Sequence, residues 1–110
     1  MTPVRRGELW WVALDPVVGS EIAKTRPAVV LTSDVINELR RTVVVIPLSS
    51  SPTARPPLTI PVMCGERRAV AVIDQVRAVS KERLRRLIGA VTPTELQELE
   101  HAVRRVLDLG

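Results

Sequence analysis

Arginines and hydroxyls at the ends of apolar runs could act on a phosphate, Arg26 and Ser49 among them. Arg26 stands before Pro27 at the head of an apolar run, and Ser49 follows the run Thr42 to Leu48. Arginine carries a rigid fork of donors matched to phosphate oxygens and stays protonated at any ordinary pH. A serine hydroxyl can donate to a phosphate oxygen or hold a ribose hydroxyl. One fixed donor aimed where charge gathers in a transition state is worth roughly two to three orders of magnitude in rate. Ser50, next in the chain, offers a second hydroxyl.

Few other reagents are on offer. The only histidine, His101, falls on the polar side of a C-terminal helical pattern and is expected to face solvent. One cysteine, Cys64, has no partners at zinc spacing and reads as a small core residue. No Ser-His-Asp or Cys-His set is present, nor a Gly-rich phosphate loop. The acids Glu21, Asp34, Asp74 and Glu82 are scattered and do not suggest a metal pair. An enzyme built from this chain works with arginine, hydroxyls and at most one carboxylate, with no metal and no cofactor.

The charge balance points the same way. Net charge is +4, and of 16 basic residues all but Lys24 and Lys81 are arginine. That surplus attracts nucleic acid or an acidic protein. The only aromatic residues are Trp10 and Trp11, too few for a base-stacking platform. No apolar run approaches the ~20 residues of a membrane span. No charged-then-apolar leader opens the chain, so the expected location is the cytoplasm.

The elements that must hold Arg26 and Ser49 read as short strands followed by one helix. Residues 8–14, 27–32 and 42–48 are strand-like, with Pro47 at an edge or bulge. Asp15-Pro16 and Gly19-Ser20 mark a loop that runs to Thr25. Ser33 caps a short helix over 35–40. Ser49 to Pro57 is a loop. Residues 58–63 form a strand interrupted by Pro61, and residues 69–73 form another, extended through 74–79 with a kink. Ser80 caps a short basic helix over 81–86, ended by Gly89, with a last short strand at Ala90-Val91. Thr92-Pro93-Thr94-Glu95 is a capping box with proline at the first helical position. Leu96, Leu99, Val103, Val106 and Leu107 then share one helical face. About five strands and one amphipathic helix fit a single domain over 1–110, an SH3-like small β-barrel with the helix outside.

Four segments together resemble a known family. Arg6-Gly7-Glu8-Leu9-Trp10, Gly19-Ser20-Glu21 with Arg26-Pro27-Ala28-Val29-Val30-Leu31, Ile46-Pro47-Leu48-Ser49-Ser50, and Val72-Ile73-Asp74-Gln75-Val76-Arg77 stand in the order and spacing of the MazF/PemK toxin endoribonucleases. The resemblance covers nearly the whole chain. It implies a MazF/CcdB-type barrel, a homodimer, and metal-free, sequence-selective cleavage of single-stranded RNA. The 2′-hydroxyl would attack the adjacent phosphate, leaving a cyclic phosphate and a free 5′-hydroxyl. It further implies Arg26 and Ser49 as catalytic residues, and a cognate MazE-like antitoxin with an acidic, partly disordered segment as partner. The RNA cut could be messenger, ribosomal or transfer RNA.

The same resemblance places Glu21, Lys24, Ser50, Gln75 and Arg77 among residues that meet RNA. Arg55, Arg67 and Arg68 are further candidates for phosphate contacts. Two departures stand out in the family loop Gly-Ser-Glu-Gln-x-Gly-x-Arg-Pro. Ile22 replaces the glutamine, and Lys24 replaces the second glycine, which should stiffen the loop. Ser49 in place of the commoner threonine loses a rotamer-restricting methyl group. Two alternatives come from other classes: a CcdB-like gyrase poison of the same fold, and an SH3-like peptide-binding module. The first acts through a tryptophan near the C-terminus, which this chain lacks. The second needs a groove of several aromatics.

Overall fold

The computed structural model describes residues 3–14, 19, 21 and 24–110. In chain order the elements are β1 (Glu8–Ala13), β2 (Thr25–Val30), α1 (Asp34–Leu39), β3 (Thr42–Ser49), β4 (Thr59–Cys64), β5 (Arg67–Val72), β6 (Arg77–Ser80), β7 (Leu84–Ala90) and α2 (Pro93–Val106). Single 3₁₀ turns span Ile73–Gln75 and Lys81–Arg83. All pairings are antiparallel, in the order β4-β5-β3-β2-β1-β7, with β6 also on β3. The chain is thus mainly β with a C-terminal helix, as expected. β4 and β7 lie at the two ends of the order with no ladder between them, so the curled sheet is an open half-barrel.

Strand β3 organises the sheet. Its first half pairs with β6 through Val45↔Arg77, and its end pairs with β5 through Leu48↔Ala71 and Ser49↔Val70. β5 and β6 therefore share one edge of β3, joined by the 3₁₀ corner at Ile73–Gln75. That corner is the expected kink. Pro47 has no N–H to give and falls where β3 leaves β6 and takes up β5. Pro61 sits on β4, an edge strand, where a missing donor is tolerated.

The described residues form seven strands, more than the roughly five read from sequence, and one expectation is overturned. The basic helix over 81–86 does not form. Ser80 does cap, its Oγ accepting the Glu82 N–H at 3.4 Å, but only one turn follows. Residues 84–90 instead pair with β1, setting Leu84 opposite Val12 and Leu87 opposite Trp10. An isolated short helix is marginal, so the strand partner available here decides. Strand pairing satisfies the β1 edge and covers its apolar side chains. Leu107 also departs from expectation: it lies past the end of α2 and is 49% exposed, while Ala102 takes its place in the core.

Strand alternation gives the sheet two faces. Leu9, Val29, Ile46, Leu48, Ile60, Val62, Ala71 and Ile73 point to one, where Leu99 and Ala102 of α2 cover them. Trp10, Val12, Ala28, Val30, Val43, Val45 and Val79 point to the other. The capping box that starts α2 is formed as read: Thr92 Oγ1 accepts the Glu95 N–H at 3.1 Å, and Glu95 accepts the Thr92 N–H at 2.8 Å. Arg6 fastens the helix side. Its guanidinium donates to the Leu31 carbonyl and the Glu100 carboxylate, and its N–H donates to Asp34 at 2.6 Å. Gly7, at φ +87°, gives its N–H to Val30 and accepts from Val91, a conformation side chains rarely adopt. His101 is exposed on α2, as its helical phase implied.

Candidate active site

The ladder between β2 and β3 runs Val30↔Val45, Val29↔Ile46, Ala28↔Pro47. The ladder ends there; continued two residues along each strand, its register would set Arg26 against Ser49. Side chains directly opposite in an antiparallel pair share a face. Arg26 follows Ala28 and Val30 in phase, and Ser49 follows Val45, so both belong to the face away from α2. On the other side of β2, Arg26 pairs with the fully buried Val12. Ser49 in turn pairs with Val70 of β5, and Val70 with Pro61 of β4. One row therefore crosses four strands: Arg26, Ser49, Val70, Pro61.

Arg26 is exposed at the start of β2, with no ion pair or side-chain hydrogen bond to the described residues. Its backbone is held by the β1 ladder while its guanidinium faces water. Ser49 is half-buried. Its Oγ accepts the Ser51 N–H at 3.3 Å, which leaves the hydroxyl proton free to donate. That bond restrains a side chain that lacks the methyl of threonine. Ser50 follows the last residue of β3, is exposed, and is one residue out of phase with Arg26. Register thus favours Ser49 as the hydroxyl that meets what Arg26 meets.

The remaining expected site residues are placed less closely. Lys24 sits directly before β2 with φ +66°, in the left-handed region glycine favours. Its carbonyl accepts the Leu14 N–H at 2.9 Å. The chain thus keeps the conformation of the glycine that Lys24 replaces, at a cost of roughly 1 kcal/mol in backbone strain. Glu21 is exposed in the same loop. Asp15, Pro16, Ser20 and Ile22, read as part of this loop, lie outside the described residues. Gln75 is half-buried in the 3₁₀ corner, and Arg77 starts β6 opposite Val45. Arg77 is on the face of Ser49 but four residues away along β3, roughly 13 Å at ~3.3 Å per residue. The register joins Arg26 to Ser49 and leaves Gln75 and Arg77 at a distance.

Alternation also separates two neighbouring arginines. Arg67 pairs with Cys64 on the helix side, whereas Arg68 pairs with Met63 on the face of Ser49. Burial pushes the Cys64 thiol above its ordinary range, so it stays protonated at neutral pH. Among the described residues, no group of three or more His, Cys, Asp or Glu side chains is placed to hold a metal.

Comparison with known proteins places this arrangement. A model of the PemK-like, MazF-like toxins of type II toxin-antitoxin systems matches residues 5–107. The chain belongs to the PemK/MazF toxin family. Endoribonuclease MazF9 of Mycobacterium tuberculosis is 36% identical over 115 residues, covering 96% of this chain and 98% of that one. The crystal structure of MazF from Deinococcus radiodurans superposes with a TM-score of 0.85 at 23% identity, covering 98% of this chain and 99% of that one. A mycobacterial endoribonuclease solved in complex with its cognate antitoxin has a TM-score of 0.81 at 18% identity over 97% of each chain. These last two likenesses concern the fold.

Within the family frame, the Arg-Pro segment supplies Arg26 and the end of β3 supplies Ser49. Sequence reasoning missed Ser51, whose N–H orients Ser49. The only sequence signal for it was a hydroxyl run at a strand end, where local side-chain-to-backbone turns are common.

Proposed function

We propose that this chain is a sequence-selective, metal-independent endoribonuclease toxin acting on single-stranded RNA. The observation that supports the reading is the β2–β3 ladder, whose register, continued past Ala28↔Pro47, brings Arg26 and Ser49 to one face. Arg26 stabilises the charge that gathers on the attacked phosphate. Ser49 donates to a phosphate oxygen or positions the attacking 2′-hydroxyl. The attack closes a 2′,3′-cyclic phosphate and expels the 5′-oxygen, which leaves as a 5′-hydroxyl after gaining a proton. Lys24 and Arg77 draw the strand in by charge, and Glu21, Ser50 and Gln75 contact it along its path.

The whole chain serves as one catalytic domain and works as a homodimer in the cytoplasm, where its RNA substrates are. Its partner is a cognate antitoxin of the MazE kind. An acidic segment of that partner suits a +4 protein and competes with RNA for the same arginines.

The test is cleavage of a mixed-sequence RNA in EDTA. The reading expects discrete cuts with cyclic-phosphate and 5′-hydroxyl ends. Intact RNA, from protein that still arrests growth when expressed, would move the function to a target other than RNA.

A further inference from the structure

The two tryptophans stand side by side on β1 and face opposite ways. Trp10 belongs to the second core, and its Nε1–H donates to Glu8 at 3.2 Å. Trp11 is in phase with Leu9, yet it lies outside the cluster that α2 covers and is only half-buried. Its Nε1–H has no hydrogen-bond partner among the described residues. The ladders put Pro27 of β2 on one side of Trp11 and Arg86 of β7 on the other. Residues directly opposite are near enough for ring and guanidinium to meet one ligand together. Arg86 and its neighbour Arg85 are exposed and make no ion pair or side-chain hydrogen bond with any described residue. No acid on these strands answers that charge. β2 and β7 carry none, and the one acid of β1, Glu8, already accepts the Arg5 N–H at 2.7 Å as well as the Trp10 N–H. Among the described residues β7 has only β1 as a ladder neighbour, so this shelf ends at an open side of the sheet.

We propose that the shelf of Trp11, Pro27, Arg85 and Arg86 docks an acidic polypeptide segment, an apolar side chain of which lies on Trp11 and Pro27 while its carboxylates meet the two arginines. Tryptophan and arginine are the side chains that most often carry the energy of a protein interface, and a guanidinium takes a carboxylate in a two-pronged grip. The β1–β7 ladder is broken on either side of the Trp11↔Arg86 pair, leaving Arg85 and Ile88 as bulges. A bulged edge resists strand addition, so the segment is held through its side chains and does not extend the sheet. Arg26 pairs with Val12, beside Trp11 but on the reverse face. An RNA strand held at Arg26 is therefore on the other side of the sheet, and a single ring offers successive bases no stack. The shelf suits a peptide that binds while the Arg26 face stays open to RNA, and it stands whether or not the nuclease reading does.

The experiment titrates full-length protein into a fluorescein-labelled synthetic peptide of alternating glutamate and leucine, with a lysine–leucine copy as control. Wild type should bind the acidic peptide and ignore the basic one. Arg86→Ala should weaken binding about tenfold, and Trp11→Ala at least as much. Trp11→Phe, which keeps a ring on the strand, should retain most of the affinity and guards against a variant that merely fails to fold. Arg26→Ala should bind the peptide as wild type does, and saturating peptide should leave RNA cleavage within twofold. Binding that survives Arg86→Ala and Trp11→Ala overturns the proposal. So does binding that RNA displaces or that Arg26→Ala abolishes, because the peptide then sits on the Arg26 face. An Arg86→Ala protein with weakened RNA affinity and unchanged peptide binding assigns the shelf to nucleic acid and overturns it too. None of these outcomes decides whether the chain cuts RNA, which the cleavage assay in EDTA tests separately.

Discussion

The two faces of the sheet are built from the same strands and meet opposite fates. On one, Leu9, Val29, Ile46, Leu48 and Ala71 disappear beneath α2. On the other, Val12, Ala28, Val30 and Val45 form a second core, and Arg26, opposite Val12, stands at its open edge in phase with Ser49. The helix side is closed by an apolar stripe and fastened at its N-terminus by the Thr92–Glu95 box and at its middle by Arg6 with Glu100. The open side keeps an arginine in water beside a half-buried hydroxyl. A rigid closed face lets the open face hold unpaired donors in fixed places. That is the condition for electrostatic catalysis without reorganisation.

If the division is real, substitutions on the two faces should separate stability from activity. The largest effect is expected at Arg26. Arg26→Ala should lower the cleavage rate roughly a hundred- to a thousandfold and leave the thermal midpoint within a degree or two, because the guanidinium has no partner among the described residues to lose. A large fall in midpoint would show that Arg26 is structural. Next comes Leu99→Ala under the sheet. It should cost about 3 kcal/mol in denaturant unfolding, in the range for buried leucine truncation, while the rate per folded molecule stays near wild type. Lost activity in fully folded protein would mean that the helix face reaches the site.

Two smaller changes sharpen the contrast. Thr92→Ala removes the cap of α2 and should destabilise by about 1 kcal/mol, read as a lower urea midpoint with unchanged cleavage. Lys24→Gly acts on the open side with the opposite sign. It relieves a left-handed backbone at φ +66° and should stabilise by about 0.5–1 kcal/mol. It also removes a positive charge beside β2, so RNA affinity should fall a few-fold at low salt. Together these would mark the open face as the place where stability is given up for binding. A destabilised Lys24→Gly would contradict that.

How much of this was legible in the sequence follows the same division. The helix side was readable because its signals are local: Thr92, Pro93 and Glu95 lie within one turn, and Leu96, Leu99 and Val103 repeat at helical period. The proposed catalytic pair was readable only through the family pattern, since Arg26 and Ser49 are 23 residues apart and nothing local ties them. What joins them is the β2–β3 register, a long-range fact. The misread segment, 81–86, failed for the complementary reason. Its local signals, Ser80 and a run of charged residues, favour a helix. The partner that overrides them, the edge of β1 with Trp10 and Val12, lies some 70 residues upstream, far outside any local window. Likewise, no pattern distinguished Arg67 from Arg68. Only their phase against Cys64 and Met63 assigns one to each face.

The central claim is that Arg26 and Ser49 act as one unit on the open face, and a double-mutant cycle tests it most directly. Single-turnover cleavage would be measured for wild type, Arg26→Ala, Ser49→Ala and the double variant, all confirmed folded by matching thermal midpoints. Residues that serve one transition state are strongly non-additive. The double variant is predicted to lose little more than the worse single. A full multiplication of the two single losses, or wild-type rates in either single variant, would contradict the account.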